Sequence, residues 1–261
     1  MSEELVLFNV EEGIGIITIN RPKALNALNG DVLGQLEAIL DRIKTDESVK
    51  VVILTGAGDK AFIAGADIAE MRVLRPYEIR GHVARGQRIS RKIETLHQPV
   101  IAAVNGFALG GGTELAISCD YILAGENAKF GQPEVKIGVF PGFGGSQRLV
   151  KHLGKLRAKE LCFWGEIIPA KRALEIGLCN EMVEPAKLMD RARELARKLI
   201  KETSLAAVGM CKQAIEFGSD QPLEQGMLLE QSLFALCFDT QDQKEGMTAF
   251  LEKRRPNFTG K

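Results

Sequence analysis

The chain has 261 residues, 45% hydrophobic and 26% charged, a globular composition that excludes wholesale disorder and fits one substantial domain, with or without an appended subdomain. Its 34 Lys and Arg are balanced by 34 Asp and Glu, so there is no global field for polyanions and a nucleic-acid role would need a local basic patch. The uncharged run over residues 98–113 is too short and too interrupted by glycine for a membrane span, and the acidic start lacks the regions of a secretory signal.

Residues 5–10 and 15–20 read as two short β-rich runs, with Glu11-Glu12-Gly13 as the turn between them. Residues 31–44 place Val32, Leu33, Leu36, Ile39, Leu40 and Ile43 at a helical period with one dry face. Residues 51–55 form an apolar strand ending in Gly56-Ala57-Gly58, better read as a turn than as a phosphate loop. The spacing predicts a second amphipathic helix over 77–97, with Ile79, Val83, Ser90, Ile93 and His97 on one side. Arg80, Arg85, Arg88, Arg91 and Lys92 fall on its other side, read here as a solvated face. Residues 99–104 are a buried strand, residues 114–118 the start of a short helix, and residues 121–124 a further strand. From about Lys155 the character turns helical, with helices over 170–176, 189–201 and 223–238; Pro169 and Gly177 bracket the first. The alternation of strands and helices in the first half gives an α/β class. No internal repeat or low-complexity segment interrupts it.

Several chemistries lack their motifs. There is no GxxxxGK[ST], no GxGxxG opening a helix after a strand, no HExxH and no GxSxG. The three histidines, His82, His97 and His152, have no neighbour at metal-ligand spacing, so no metal is expected. The five cysteines are odd in number and scattered without CxxC, which suggests reduced, buried thiols in a cytoplasmic protein.

Four islands suit packing badly: Ala64-Gly65-Ala66-Asp67-Ile68, the run from Asn105 through Gly110-Gly111-Gly112-Thr113-Glu114-Leu115, Phe130-Gly131-Gln132-Pro133-Glu134, and the run from Pro141 to Arg148. Three consecutive glycines carry a backbone-entropy cost. They bring the backbone close to something, and the helix that follows leaves free N–H groups suited to an oxyanion. Close strand-to-helix packing explains the same glycines equally well. Taken singly, Glu114 is a carboxylate at a helix start, Glu134 a helix-start or loop residue, Asp67 an N-cap and Arg148 a structural ion pair. Together, two carboxylates beside a Gly-rich donor site supply the parts needed to move a proton next to a carbonyl.

These islands resemble those of the enoyl-CoA hydratase (crotonase) family. The similarity runs along nearly the whole chain, from Ile19-Asn20-Arg21-Pro22-Lys23-Ala24-Leu25-Asn26-Ala27-Leu28 to the segment over residues 242–254. Within the family the chain most resembles short-chain enoyl-CoA hydratases, also called 3-hydroxybutyryl-CoA dehydratases. The resemblance implies an α/β spiral of ββα units over residues 1–195 carrying the active site. It also implies a C-terminal helical region over 196–261 that serves trimerisation, giving a trimer or a hexamer built as a dimer of trimers.

By the same resemblance, Glu114 and Glu134 match the catalytic pair, Ala66 and Gly111 the oxyanion-hole amides, and Gly142 a donor to the water. Lys23, Ala24, Leu25, Ala64, Asp67 and Ile68 match positions along the coenzyme A path. Phe234, Phe250 and Lys253 match C-terminal positions that reach coenzyme A, in some members from a neighbouring subunit; the two phenylalanines read equally well as helix packing. Family isomerases typically keep only the position of Glu134, so the presence of both glutamates implies hydration. The implied substrate is an acyl-CoA thioester, with no separate cofactor and no nucleic-acid or membrane partner. An RNA-binding role through the basic face of residues 77–97 and an isomerase activity are the competing readings. Three departures from the family pattern stand out: Ser146 where Thr is frequent, Phe140 before Pro141, and Phe163-Trp164 beside Gly165. Phe140 would shorten the acyl pocket if it points inward.

Overall fold

The computed structural model describes residues 4–260. The chain opens on a hairpin of β1 (Val6–Glu11) and β2 (Ile14–Ile19), paired antiparallel. Glu12 and Gly13, at φ 52° and 83°, form the two-residue loop, the left-handed pair that matches the twist of hairpin strands. Helix α1 (Gly30–Ile43) is capped by Asn29, whose side chain accepts from Val32 N, and it buries Val32, Leu33, Leu36, Leu40 and Ile43.

The chain then alternates between two sheets. β3 (Val51–Gly56) joins the large sheet and β4 (Ala61–Ile63) the small one, followed by α2 (Ile68–Met71) and α3 (Pro76–Thr95). β5 (Val100–Val104) returns to the large sheet and β6 (Phe107–Leu109) to the small one, followed by α4 (Gly111–Ala116). β7 (Tyr121–Gly125) and β8 (Lys129–Gly131) repeat the step, followed by a 3-10 turn over Pro133–Ile137 and then α5 (Gly145–Trp164). β9 (Ile167–Pro169) closes the small sheet, α6 (Ala170–Glu175) follows, and β10 (Glu181–Val183) ends the large one. This is the ββα spiral.

β4, β6 and β8 are adjacent and parallel, so their carboxyl ends open on the same edge of the small sheet. The three loops that leave that edge carry Ala66, Gly111 and Glu134. Ligands of α/β sheets are bound at such an edge, where successive loops converge.

The principal core lies between the large sheet, α1, α3 and the small sheet, with Phe62, Phe130, Leu36 and Ile89 fully buried. A second core, with Ile53, Ile101 and Leu123, lies on the other face of the large sheet under α7 (Leu188–Glu202). Burial on both faces explains why β3 reads as a continuous apolar run instead of an alternating one. The chain ends in α8 (Leu205–Gly218), α9 (Leu223–Cys237) and α10 (Gln241–Leu251). Asp242, buried in α10, accepts from the backbone of Thr259 and Gly260 and ties down the tail. No helix among the described residues is long and apolar enough to cross a membrane.

Several expectations change. The three-residue strands of the small sheet, and α8 and α10, carry no periodicity that separates them from loops. The helix expected at residue 114 begins at Gly111, and the helical character expected from residue 155 begins at Gly145. In both cases glycine opens the first turn, against its propensity, and tertiary packing outweighs it. Gly154, at φ 78°, kinks α5 midway. The basic side of α3 is not simply solvated: Arg85 and Arg88 pair with Glu37, Lys92 with Asp41, and Arg91 with Glu94 and Glu216. Cys119, Cys162 and Cys179 are buried free thiols, but Cys211 is exposed and Cys237 half-buried.

Candidate active site

Glu114 stands one turn into α4, fully buried. Its Oε1 accepts from Gly145 N, the first amide of α5, at 2.6 Å. A first-turn amide has no intrahelical acceptor, so it is free for this contact. Burial pushes the Glu114 carboxyl up to about 7; the Gly145 amide opposes that rise and the neighbouring Glu134 carboxylate adds to it.

Glu134 lies in the first turn of the 3-10 segment after β8. Burial pushes it, too, up to about 7. A Cβ on Gly110 would fall 2.7 Å from Glu134 Oε1, so the glycine at the mouth of α4 is what lets the carboxyl approach. The fully buried Gln132 lies beside Glu134, and in the amide orientation that satisfies both side chains its nitrogen donates to Oε1 and Oε2 at 2.9 and 3.1 Å. The same side chain reaches Gly145, whose absent Cβ would meet Gln132 and Glu114 alike. Burial also pushes the Cys162 thiol on α5 up to about 11, and both carboxylates add to that rise. The two carboxyls are therefore neighbours in one buried site.

The glycine run has divided duties. A Cβ on Gly112 would lie 1.9 Å from Ile63 O, so this glycine serves close packing of α4 on β4. Gly111 begins α4, and its N–H has no acceptor among the described residues. Thr113 Oγ1 donates to Ala108 O at 2.6 Å and also bridges Gly131, locking β6, α4 and β8 together under the site. Ala66 forms a parallel bridge with Leu28, which bonds Gly65 O and Asp67 N. That pattern faces the Ala66 N–H away from the bridge, without an acceptor among the described residues. Leu28 also meets Gly111, as a Cβ there would be 3.3 Å from Leu28 Cδ1, so Ala66 adjoins the backbone of Leu28 and Gly111 its side chain. Gly142 N likewise has no described partner, and Gly142 O accepts from Gln87 at 2.9 Å.

Lys23 and Ala24 form a 3-10 turn over Pro22–Ala24, and Leu25 follows at φ 50°. Lys23 and Leu25 line a cleft of about 270 Å³ with Gly58 and Lys60. Ala64 N donates to Leu25 O, joining this cleft to the Ala66 loop. Asp67 caps α2 and pairs with Arg21 at 2.9 Å, so its carboxylate holds the loop in shape; Ile68 beside it is exposed. Phe234, Phe250 and Lys253 are not brought to the pocket by any hydrogen bond or ring contact among the described residues. Phe234 packs at a tilt against Phe238 beside an apolar cavity of about 920 Å³ between α8, α9 and α10, and Phe250 is 83% exposed. Phe140 is 71% exposed and is not packed inward, and Phe163 and Trp164 stack on each other at the surface.

Gly145, Gln132 and Thr113 fall within the four islands, but sequence reasoning assigned them no role. Gly145 stood out as part of a glycine pair before a helical run, whereas nothing local distinguishes Gln132 and Thr113 from their neighbours.

Comparison with known proteins identifies the family to which this sequence and fold belong. The family described as enoyl-CoA hydratase/isomerase matches residues 9–261. A crotonyl-CoA hydratase of Syntrophomonas wolfei is 48% identical over 261 residues, covering 100% of both chains. A short-chain-enoyl-CoA hydratase of Clostridium acetobutylicum is 49% identical over 250 residues, covering 96% of this chain and 95% of that protein. The crystal structure of an enoyl-CoA hydratase from Bacillus anthracis superposes with a TM-score of 0.94 at 38% identity, covering 98% of this chain and 100% of that one. With a match that leaves out only the first eight residues and a fold shared end to end, the chain belongs to the enoyl-CoA hydratase/isomerase family.

Proposed function

We propose that this protein is a hydro-lyase that reversibly adds water across the 2,3-double bond of short-chain trans-2-enoyl-CoA thioesters, giving 3-hydroxyacyl-CoA. The observation that carries the reading is the neighbouring pair Glu114 and Glu134, both pushed by burial up to about 7, beside the amides of Ala66 and Gly111, which have no acceptor among the described residues. A carboxyl near neutrality can give or take a proton with little driving force lost.

The amides of Ala66 and Gly111 hold the thioester oxygen as it gains negative charge, and small residues there leave room for it. Ionised Glu114 takes a proton from water as its oxygen bonds to C3. Protonated Glu134 delivers a proton to C2, and the electron pair held on the thioester oxygen returns through C1–C2. Gly142 N–H orients the water. One carboxyl must be ionised and the other protonated, so the pair titrates as a unit. Dehydration exchanges the roles.

Lys23, Ala24, Leu25, Ala64, Asp67 and Ile68 border the path of coenzyme A, which enters as part of the substrate; the mechanism calls on no other cofactor. The apolar side chains left exposed on α9 and α10, Leu228, Phe234, Phe250 and Leu251 among them, support self-association as a trimer or hexamer. In such an assembly Phe234, Phe250 and Lys253 approach coenzyme A. Five free cysteines fit a reducing compartment such as the cytoplasm.

The test is a ladder of trans-2-enoyl-CoA lengths followed by loss of enoyl-thioester absorbance. Turnover is expected to be fastest at the short end and lost in Glu114→Gln. Absence of hydration at every length, or double-bond shift as the only reaction, would overturn the reading.

A further inference from the structure

Arg148 lies in the first turn of α5 and sends its guanidinium back over the turn that precedes it. Its Nη1 donates to Phe143 O at 2.9 Å, its Nη2 donates to Glu94 Oε2 at 3.0 Å, and its Nε donates to Glu94 Oε1. The two side chains are only 14% and 11% exposed. Gly144, at φ 108°, makes room for the fork, since a Cβ there would fall 1.9 Å from Arg148 Nη1. The turn so gripped is the one that faces the site. Gly145 N donates to Glu114, and the Phe143 ring meets Gly111 of α4 and Gly86 of α3, where added Cβ atoms would fall 3.3 and 2.3 Å from it.

We propose that Arg148, held by Glu94, is a positioning residue: it fixes the turn from Phe143 to Gly145 so that the Gly145 amide meets Glu114 in working geometry. The inference rests on reading Glu114 as an acid/base group. A buried ion pair contributes little net stability, because desolvation offsets its attraction, and an apolar pair of similar size would serve folding as well. What a planar fork adds is direction, which a lysine cannot supply. Without it the turn would rely on glycines, the least restrained residues in the chain. The grip extends outward. Arg91 bonds Glu94 at 3.2 Å and Glu216 of α8 at 3.4 Å, and it stands over the Phe217 ring. His152 of α5 lies near the same pair, its ring Nε2 3.1 Å from Ile117 O. The charged groups that reach Glu114 are Glu134 and Arg148, with the Cys162 thiol beside both carboxyls.

The experiment compares Arg148→Lys, Arg148→Met and the double variant Glu94→Gln/Arg148→Met in the full chain. For each, kcat and KM for a short 2-enoyl-CoA are measured alongside the melting temperature. The Glu114 carboxyl is titrated by NMR of ¹³C-labelled glutamate, its resonance identified with Glu114→Gln. Arg148→Met is expected to lower kcat roughly 10- to 100-fold with KM nearly unchanged, and to move the Glu114 titration upward because a nearby cation is lost. Arg148→Lys keeps the charge but not the fork, so kcat still falls while the titration moves little. The double variant leaves no unpaired buried charge, so it regains melting temperature but neither kcat nor the titration. A double variant with wild-type kcat and titration overturns the proposal, as does an Arg148→Met whose only change is in melting temperature. Because the titration is read without turnover, it reports the reach of the Arg148 charge to Glu114 separately, and the fall of kcat in Arg148→Lys reports the fork; wild-type kcat in Arg148→Lys overturns the proposal, whereas a fully active Glu114→Gln would remove the hydratase reading instead.

Discussion

The amide of Gly145 donates to Glu114 Oε1 at 2.6 Å across 31 residues of sequence, joining the first turn of one helix to the buried carboxyl of another. The contact favours the ionised carboxylate while burial disfavours it. A carboxyl caught between those opposing effects sits near neutrality, where it exchanges protons most readily at physiological pH.

Glu114→Gln and Glu134→Gln are each expected to lower kcat by about 10²–10⁴ while leaving acyl-CoA binding nearly unchanged. Steady-state rates with crotonyl-CoA and calorimetric binding of an unreactive acyl-CoA check the two halves. Because the pair acts as a unit, the double variant should fall well short of the product of the single losses.

The pH dependence has a definite shape. Hydration needs one carboxyl ionised and one protonated, and both lie near 7. The profile of kcat/KM is therefore expected to be a narrow bell centred near neutrality, falling on the acid side as the base is protonated and on the alkaline side as the acid ionises. A rate flat from roughly pH 5.5 to pH 8.5 contradicts the two-carboxyl mechanism.

Stability should follow the opposite course at Glu114. Its folded carboxyl binds a proton more tightly than an ordinary glutamate, at about 7 against 4.5. The fold therefore bears no penalty below pH 4.5 and loses stability as pH rises through 7. Glu114→Gln keeps the acceptor for Gly145 and removes the buried charge. It should match the parent at low pH and exceed it above neutrality by up to about 3 kcal/mol. Urea unfolding at several pH values measures the difference; a gain that is equal at all of them would show that burial of the charge is not its source.

Gly112→Ala tests the packing half of the glycine run. Its Cβ would fall 1.9 Å from the backbone oxygen of Ile63, which no rotamer can relieve. A loss of roughly 2–4 kcal/mol of stability is expected, from separation of α4 and β4. An unfolding midpoint like that of the parent would show that the two elements can part freely.

The long elements were legible because each repeats a pattern over many residues. α1 places five buried apolar residues along one face, and β3 is apolar throughout because both its faces are covered. The small sheet was not legible, since three residues such as Ala61–Ile63 are too few to show an alternation. The site was half legible. Glu114, Glu134 and the glycines stood out as residues ill-suited to the company they keep. The alternatives for the glycines closed only in three dimensions, where Gly112 turned out to pack, Gly110 to admit Glu134 and Gly111 to open a helix.

What the order of residues determined by itself was the family pattern, the α/β class and the presence of two carboxyls among glycines, because composition and short-range spacing are local properties. What only the tertiary structure decided was that the loops after β4, β6 and β8 open on one edge, that Gln132 and Gly145 meet the two glutamates, and that Glu94 reaches Arg148 from 54 residues away. These depend on parallel strand pairing and on desolvation, which arise only when distant segments exclude water together.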